Sequence, residues 1–178
     1  MILVYGAAGP TLFTDTTSDH RRYPELLGSR GYVVSMPTYA NGAGALPSLE
    51  AAVGALAARD DVDPKRIGAI GFSRGAHLAL ELGAADARIG AVVELYGWLD
   101  DTERDAVTRM PPVLILHGEK DRNVRVAEAH ALEKLFRAKG IDFEMHLYPD
   151  EGHGFDPPAL EDSAQRAVAF FDSRLGHD

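Results

Sequence analysis

The chain of 178 residues is long enough to bury most of its apolar surface, and a composition of 46% hydrophobic and 25% charged residues is ordinary for a globular domain. A formal charge of −9 argues against nucleic acid and against an anionic membrane surface, both of which call for Lys and Arg. The absence of cysteine excludes disulfides, thiolate metal sites and a cysteine nucleophile.

Short apolar runs recur along the chain. They fall at residues 1–5 (MILVY), 32–36 (YVVSM), 66–71 (RIGAIG), 91–95 (AVVEL), 113–117 (VLILH) and 143–148 (FEMHLY). Each is continuous rather than alternating, which predicts parallel strands covered on both faces. Helical spacing lies between and after them. Residues 47–58 carry Leu49, Val53 and Leu56, residues 74–82 follow Ser73, and residues 126–139 carry Leu132, Leu135 and Phe136 ahead of Gly140, a helix-ending glycine. Residues 161–175 place Ala164, Val168, Phe171 and Leu175 on one stripe. With no repeat or linker, the alternation predicts one α/β domain over residues 1–178: a three-layer α/β/α sandwich around a mostly parallel sheet of about six strands. Residues 32–36 should form an edge strand, and an edge leaves either a monomer or a homodimer open.

No apolar run approaches the ~18 residues of a membrane span, and MILVY lacks the basic segment of a secretory leader. The expectation is a cytoplasmic protein with no membrane partner.

Active residues of such a sheet belong in the loops at the carboxyl ends of its strands, here beginning at Gly6, Thr38, Phe72, Tyr96, Gly118 and Pro149. The first, VYGAAGPTL, falls short of a dinucleotide-binding turn: Leu12 stands where the third glycine is needed, and residues 35–37 (SMP) supply no ribose-binding acid. There is no phosphate loop. The seven histidines are scattered, with no H-E-x-x-H, and none lies one helical turn from another. No cofactor and no metal are expected.

Three of the other loops agree with one another. Gly71-Phe72-Ser73-Arg74-Gly75 is a G-x-S-x-G sequence set after a predicted strand and before a predicted helix. There the serine occupies a strained turn, and the glycines let strand and helix approach closely. HGEKDRNV places Asp121 just past the fifth run, and YPDEGHGF sets His153 between two glycines past the last. Each alone suits an ordinary turn. Together they supply a nucleophile, a base and a carboxylate to orient that base, in the order Ser73, Asp121, His153.

Through these motifs the chain resembles the α/β-hydrolases, and among them the dienelactone hydrolase family. The likeness runs through VDPKRIGAIGFSRGAHLAL, VVELYG, PPVLILHGEKDRNV, KGIDFEMHLYPDEGHGF and the closing FFDSRL. It implies Ser73, Asp121 and His153 as the catalytic triad, no cofactor, and a small ester or lactone as substrate. Founding members of the family use a cysteine where this chain has Ser73, so their lactone is not carried over. By the same likeness the first strand matches the third of the larger fold. YPDEGHGF and VYGAAGP are also similar to prolyl-oligopeptidase-type peptidases, which carry a propeller domain that this sequence lacks. A peptidase or acylaminoacyl hydrolase is therefore the first alternative, and a non-catalytic binding protein of the same fold the second.

The backbone N–H groups of Arg74 and Ala7 are the expected oxyanion donors. Tyr5, Phe13, Tyr96 and Trp98 are the candidates for lining a substrate pocket. His77 is expected to be a packed or capping residue, and Glu119 is the reserve acid. The short connection over residues 96–111 predicts an open, shallow site.

Overall fold

In the computed structural model, which describes residues 1–7, 9–16, 18–40 and 42–176, the apolar runs become five strands. They are β1 (Ile2–Val4), β2 (Ile67–Phe72), β3 (Ile89–Leu95), β4 (Val113–Gly118) and β5 (Phe143–Tyr148). Every adjacent pair is parallel, and the spatial order follows the chain, β1-β2-β3-β4-β5. Continuous apolar strands require cover on both faces, because successive side chains point to opposite sides. In β4, Val113 and Ile115 enter one core while Leu114 and Leu116 enter the other.

The first core is closed by α3 (Ala45–Ala57), α4 (Arg74–Ala85) and α6 (Ala127–Lys139), through Leu49, Val53, Leu80, Leu132 and Phe136. The second is closed by α2 (Arg22–Ser29) and α7 (Pro157–Leu175), through Tyr23, Leu27, Leu160, Phe170 and Phe171. The two helices are joined by a buried hydrogen bond between Tyr23 Oη and Ser163 Oγ, 2.6 Å. α6 ends on Gly140 at φ +66, the left-handed cap that needs no Cβ.

Two short helices complete the set, α1 (Thr11–Thr14) and α5 (Asp101–Ala106). α5 begins in a reciprocal cap: the Glu103 N–H donates to the Asp100 side chain (2.8 Å) and the Asp100 N–H to Glu103 Oε2 (2.7 Å). Among the described residues, no helix is long and apolar enough to cross a membrane.

The predicted sixth strand is corrected. Of residues 32–36 only Ser35 bridges to Ile2, with Leu3 N–H donating to Ser35 O and Ser35 N–H to Met1 O, both 2.8 Å. β1 itself is three residues long, so it offers little ladder to join, and Pro37 cannot extend one. The run spends its apolar groups on packing instead. Tyr32 is buried against Phe171 and donates its hydroxyl to Asp172 Oδ1 at 3.0 Å.

Candidate active site

Ser73 occupies the junction of β2 and α4 at φ 56, ψ −124, a conformation rarely adopted by residues with a Cβ. Two glycines make the junction possible. A Cβ on Gly71 would stand 2.1 Å from the Gly75 carbonyl oxygen, so strand and helix pass at backbone contact. The Ser73 N–H donates to Leu95 O at 2.9 Å, which ties the turn to β3.

Asp121 lies in the loop between β4 and α6, with its side chain buried. Its Oδ1 accepts the N–H groups of Asn123 (2.8 Å) and Val124 (2.9 Å), leaving Oδ2 to face His153 Nδ1 at 2.7 Å. The other ring nitrogen, Nε2, lies 2.9 Å from Ser73 Oγ. A carboxylate only accepts, so Nδ1 carries the proton and Nε2 presents its lone pair to the serine hydroxyl. The two loops are laced together by backbone: Glu119 N–H donates to Tyr148 O and Lys120 N–H to Glu151 O, both 2.9 Å. Glu119 itself is exposed, and the carboxylate within reach of His153 is that of Asp121.

Ser73 and His153 line an open cleft of about 580 Å³, with Asp121 buried behind His153. Ala7 and Arg74, expected to donate to an oxyanion, both line it, as do Tyr96 and Trp98. Tyr96 is buried and presents its ring to His153 at 4.8 Å between centroids. Tyr5 and Phe13 sit elsewhere. The Tyr5 ring stacks on Tyr39 at 4.8 Å, and Phe13 is in the core, 4.6 Å from the ring of Phe72. Sequence reading overlooked Leu12, His20, Asn123 and Val124, which also line the cleft. Asn123 and Val124 were within reach, since the residues that cap Asp121 must stand beside it. His20 was not, because only the packing of α1 and α2 brings it there. Burial lowers the pKa of His20, with Asp19 opposing in part.

Behind the cleft lie two buried ionisable groups. His117 donates through Nε2 to Val124 O at 2.8 Å, holding the acid loop, and burial lowers its pKa so that the ring stays neutral. Its Nδ1 has no partner. Glu94, on β3, accepts the Gly97 N–H at 2.8 Å through Oε2, while Oε1 is buried without a partner. Burial pushes its carboxyl up to about 8, with the Gly97 bond opposing. It is therefore held mostly in the neutral acid form at pH 7. His77, one turn into α4, is stacked on Trp98 at 4.9 Å with rings 17° apart. Among the described residues, the group with metal-ligand chemistry is His77, Glu81 and Glu103.

Solved structures of low identity share this architecture: esterase PE8 superposes with a TM-score of 0.78 at 21% identity, over 98% of this chain and 91% of that one. The fold is that of the α/β hydrolases. The profile of the dienelactone hydrolase family matches residues 17–172, and the chain belongs to that family. Acyl-protein thioesterase 1 of Gibberella zeae is 29% identical over 107 residues, covering 56% of this chain and 46% of that protein. A carboxymethylenebutenolidase homolog of Xenopus tropicalis is 29% identical over 92 residues, covering 51% of this chain and 37% of that protein. The chain thus spans less than half the length of either relative.

Proposed function

We propose that the protein is a serine hydrolase of small carboxylic esters or lactones. The observation that carries this reading is the continuous hydrogen-bonded series from Ser73 Oγ to His153 Nε2 (2.9 Å) and from His153 Nδ1 to Asp121 Oδ2 (2.7 Å). Ser73 Oγ attacks the ester carbonyl carbon as its proton passes to His153 Nε2. Asp121 then offsets the imidazolium charge. The negative oxygen of the tetrahedral intermediate is taken by the Arg74 and Ala7 N–H groups, and loss of one such donor costs roughly 3–4 kcal/mol of barrier. Collapse of the intermediate breaks the ester C–O bond, and the leaving alkoxide takes the proton from His153. Water, deprotonated by the same ring, releases the acid and restores Ser73.

The cleft is open and partly apolar, with Leu12, Phe72 and Val124 in its lining, which suits short acyl groups. The proposal includes a cytoplasmic monomer or homodimer, checked by cell fractionation and light scattering.

The reading is tested with a fluorophosphonate probe and a panel of esters graded in acyl length. The expected result is labelling of the native protein on Ser73, none in Ser73→Ala, and fastest turnover for the shortest esters. A folded native protein that neither labels nor hydrolyses any ester would overturn the reading in favour of a binding protein. Aminoacyl amides cleaved as fast as matched esters would move it to the peptidase alternative.

A further inference from the structure

We propose that His77, Glu81 and Glu103 bind one divalent transition-metal ion of the zinc class, in a structural site apart from Ser73 that ties α5 to α4 beside Trp98. His77 and Glu81 lie one turn apart on α4, and α5 brings Glu103 to them. His77 Nε2 stands 3.4 Å from Glu81 Oε2 and 3.4 Å from Glu103 Oε1, and the three atoms all lie within 4.8 Å of one another.

The orientation of the ring carries the argument. His77 Nδ1 lies 3.2 Å from the Trp98 carbonyl oxygen. A carbonyl oxygen only accepts, so Nδ1 bears a proton and Nε2 is the ring atom turned to Glu81 and Glu103. Two carboxylate oxygens converge on that nitrogen, and either a proton on Nε2 or a bound cation must lie between them. Donors bound at about 2.1 Å to a tetrahedral ion stand roughly 3.4 Å apart, which matches both nitrogen–oxygen distances. A direct N–H···O bond would instead bring them to about 2.7–3.2 Å.

The surroundings agree. Metal-bound histidines habitually give their second N–H to a carbonyl or carboxylate, as His77 does to Trp98. All three side chains are partly buried, at 16%, 28% and 25% exposure, so an ion there would be only partly solvated. Glu103 Oε2 is already engaged by the Asp100 N–H, which leaves Oε1 as a single ligand atom. One imidazole and two carboxylates favour zinc, cobalt or nickel over magnesium and calcium, and water supplies the fourth position.

Trp98 makes the site readable, because it is the single tryptophan of the chain and stacks on the ligand ring. EDTA-stripped full-length protein is titrated with Co²⁺ near neutral pH while its tryptophan fluorescence is followed. The expected result is saturable quenching at one equivalent, reversed by EDTA and competed by Zn²⁺. Glu81→Gln and Glu103→Gln should each weaken the apparent affinity at least about tenfold, whereas Ser73→Ala should leave it unchanged. Glutamine at 103 still accepts the Asp100 N–H, so α5 keeps its cap, and circular dichroism verifies the fold of both variants. Absence of saturable quenching, or native affinity retained in both glutamine variants, overturns the proposal. In that case a proton on Nε2 fills the gap, or the ion sits elsewhere.

Discussion

A Cβ placed on Gly75 would stand 2.1 Å from the carbonyl oxygen of Val4. The first turn of α4 therefore rests directly on the backbone of β1, and Ser73 is presented above the sheet from a junction with no spare room. Backbone cannot yield as a flexible side chain can. Gly75→Ala is expected to cost about 3 kcal/mol or more, lowering the melting temperature by roughly 6–12 °C or abolishing soluble expression. Gly28→Ala is the matched control: its Cβ meets nothing within 4 Å on α2, so it should hold or raise stability by up to about 1 kcal/mol. Thermal melts of the two variants side by side decide the matter.

Asp121→Asn separates orientation from folding. The new amide oxygen can still accept from Asn123 and Val124, so the loop should keep its shape. An amide facing His153 Nδ1 favours the wrong tautomer, and kcat on a short ester should fall by about 10³–10⁴ with little change in melting temperature. Activity within tenfold of the native protein would remove Asp121 from the proposed mechanism.

Glu94 sets a pH dependence whose sign is fixed. Its folded pKa of about 8 lies above the ordinary 4.5, so between those values the folded state keeps a proton that the unfolded state has lost. Stability contributed by this group falls as pH rises through that window, at up to about 1.4 kcal/mol per unit, and levels off above it. Glu94→Gln removes the titration. The stability of the variant relative to native should rise steadily from pH 5 to pH 8, read from urea midpoints. A constant difference would contradict a neutral, buried Glu94.

The contact of α2 with α7 tests which interactions hold the second core. Leu27 is buried there, while Arg22 and Glu161 pair at 2.6 Å with side chains about 40% exposed. Leu27→Ala should cost about 2–5 kcal/mol, whereas Arg22→Ala should leave the midpoint close to native, because solvent screens an exposed pair. Denaturant midpoints distinguish the two.

How much of this was legible in the sequence depends on how locally each feature is specified. Ser73, Asp121 and His153 each stand a few residues past an apolar run, so strand ends and residue type sufficed to put them on one side of the sheet. The strand expected over residues 32–36 failed because its pairing depended on the length of β1, which the run itself does not encode. α5 was missed although Asp100 and Glu103 carry a capping pattern, since the helix is only six residues long and has no buried residue to give it a period. The cluster at His77 was half visible. Its i, i+4 pairing with Glu81 is a spacing, but a search among histidines alone passes over it, and Glu103 joins only through the fold. Tyr5 and Phe13 show the opposite limit, because a position near a strand end does not say whether a ring turns toward a cleft or into packing.

α7 follows every strand in the chain, yet Phe171, Phe170 and Leu160 help close the core over Ile70, Val93 and Leu116. During synthesis that face of the sheet therefore has α2 but not α7 as cover until the last helix leaves the ribosome. Apolar surface exposed in this way makes an incomplete chain prone to aggregation.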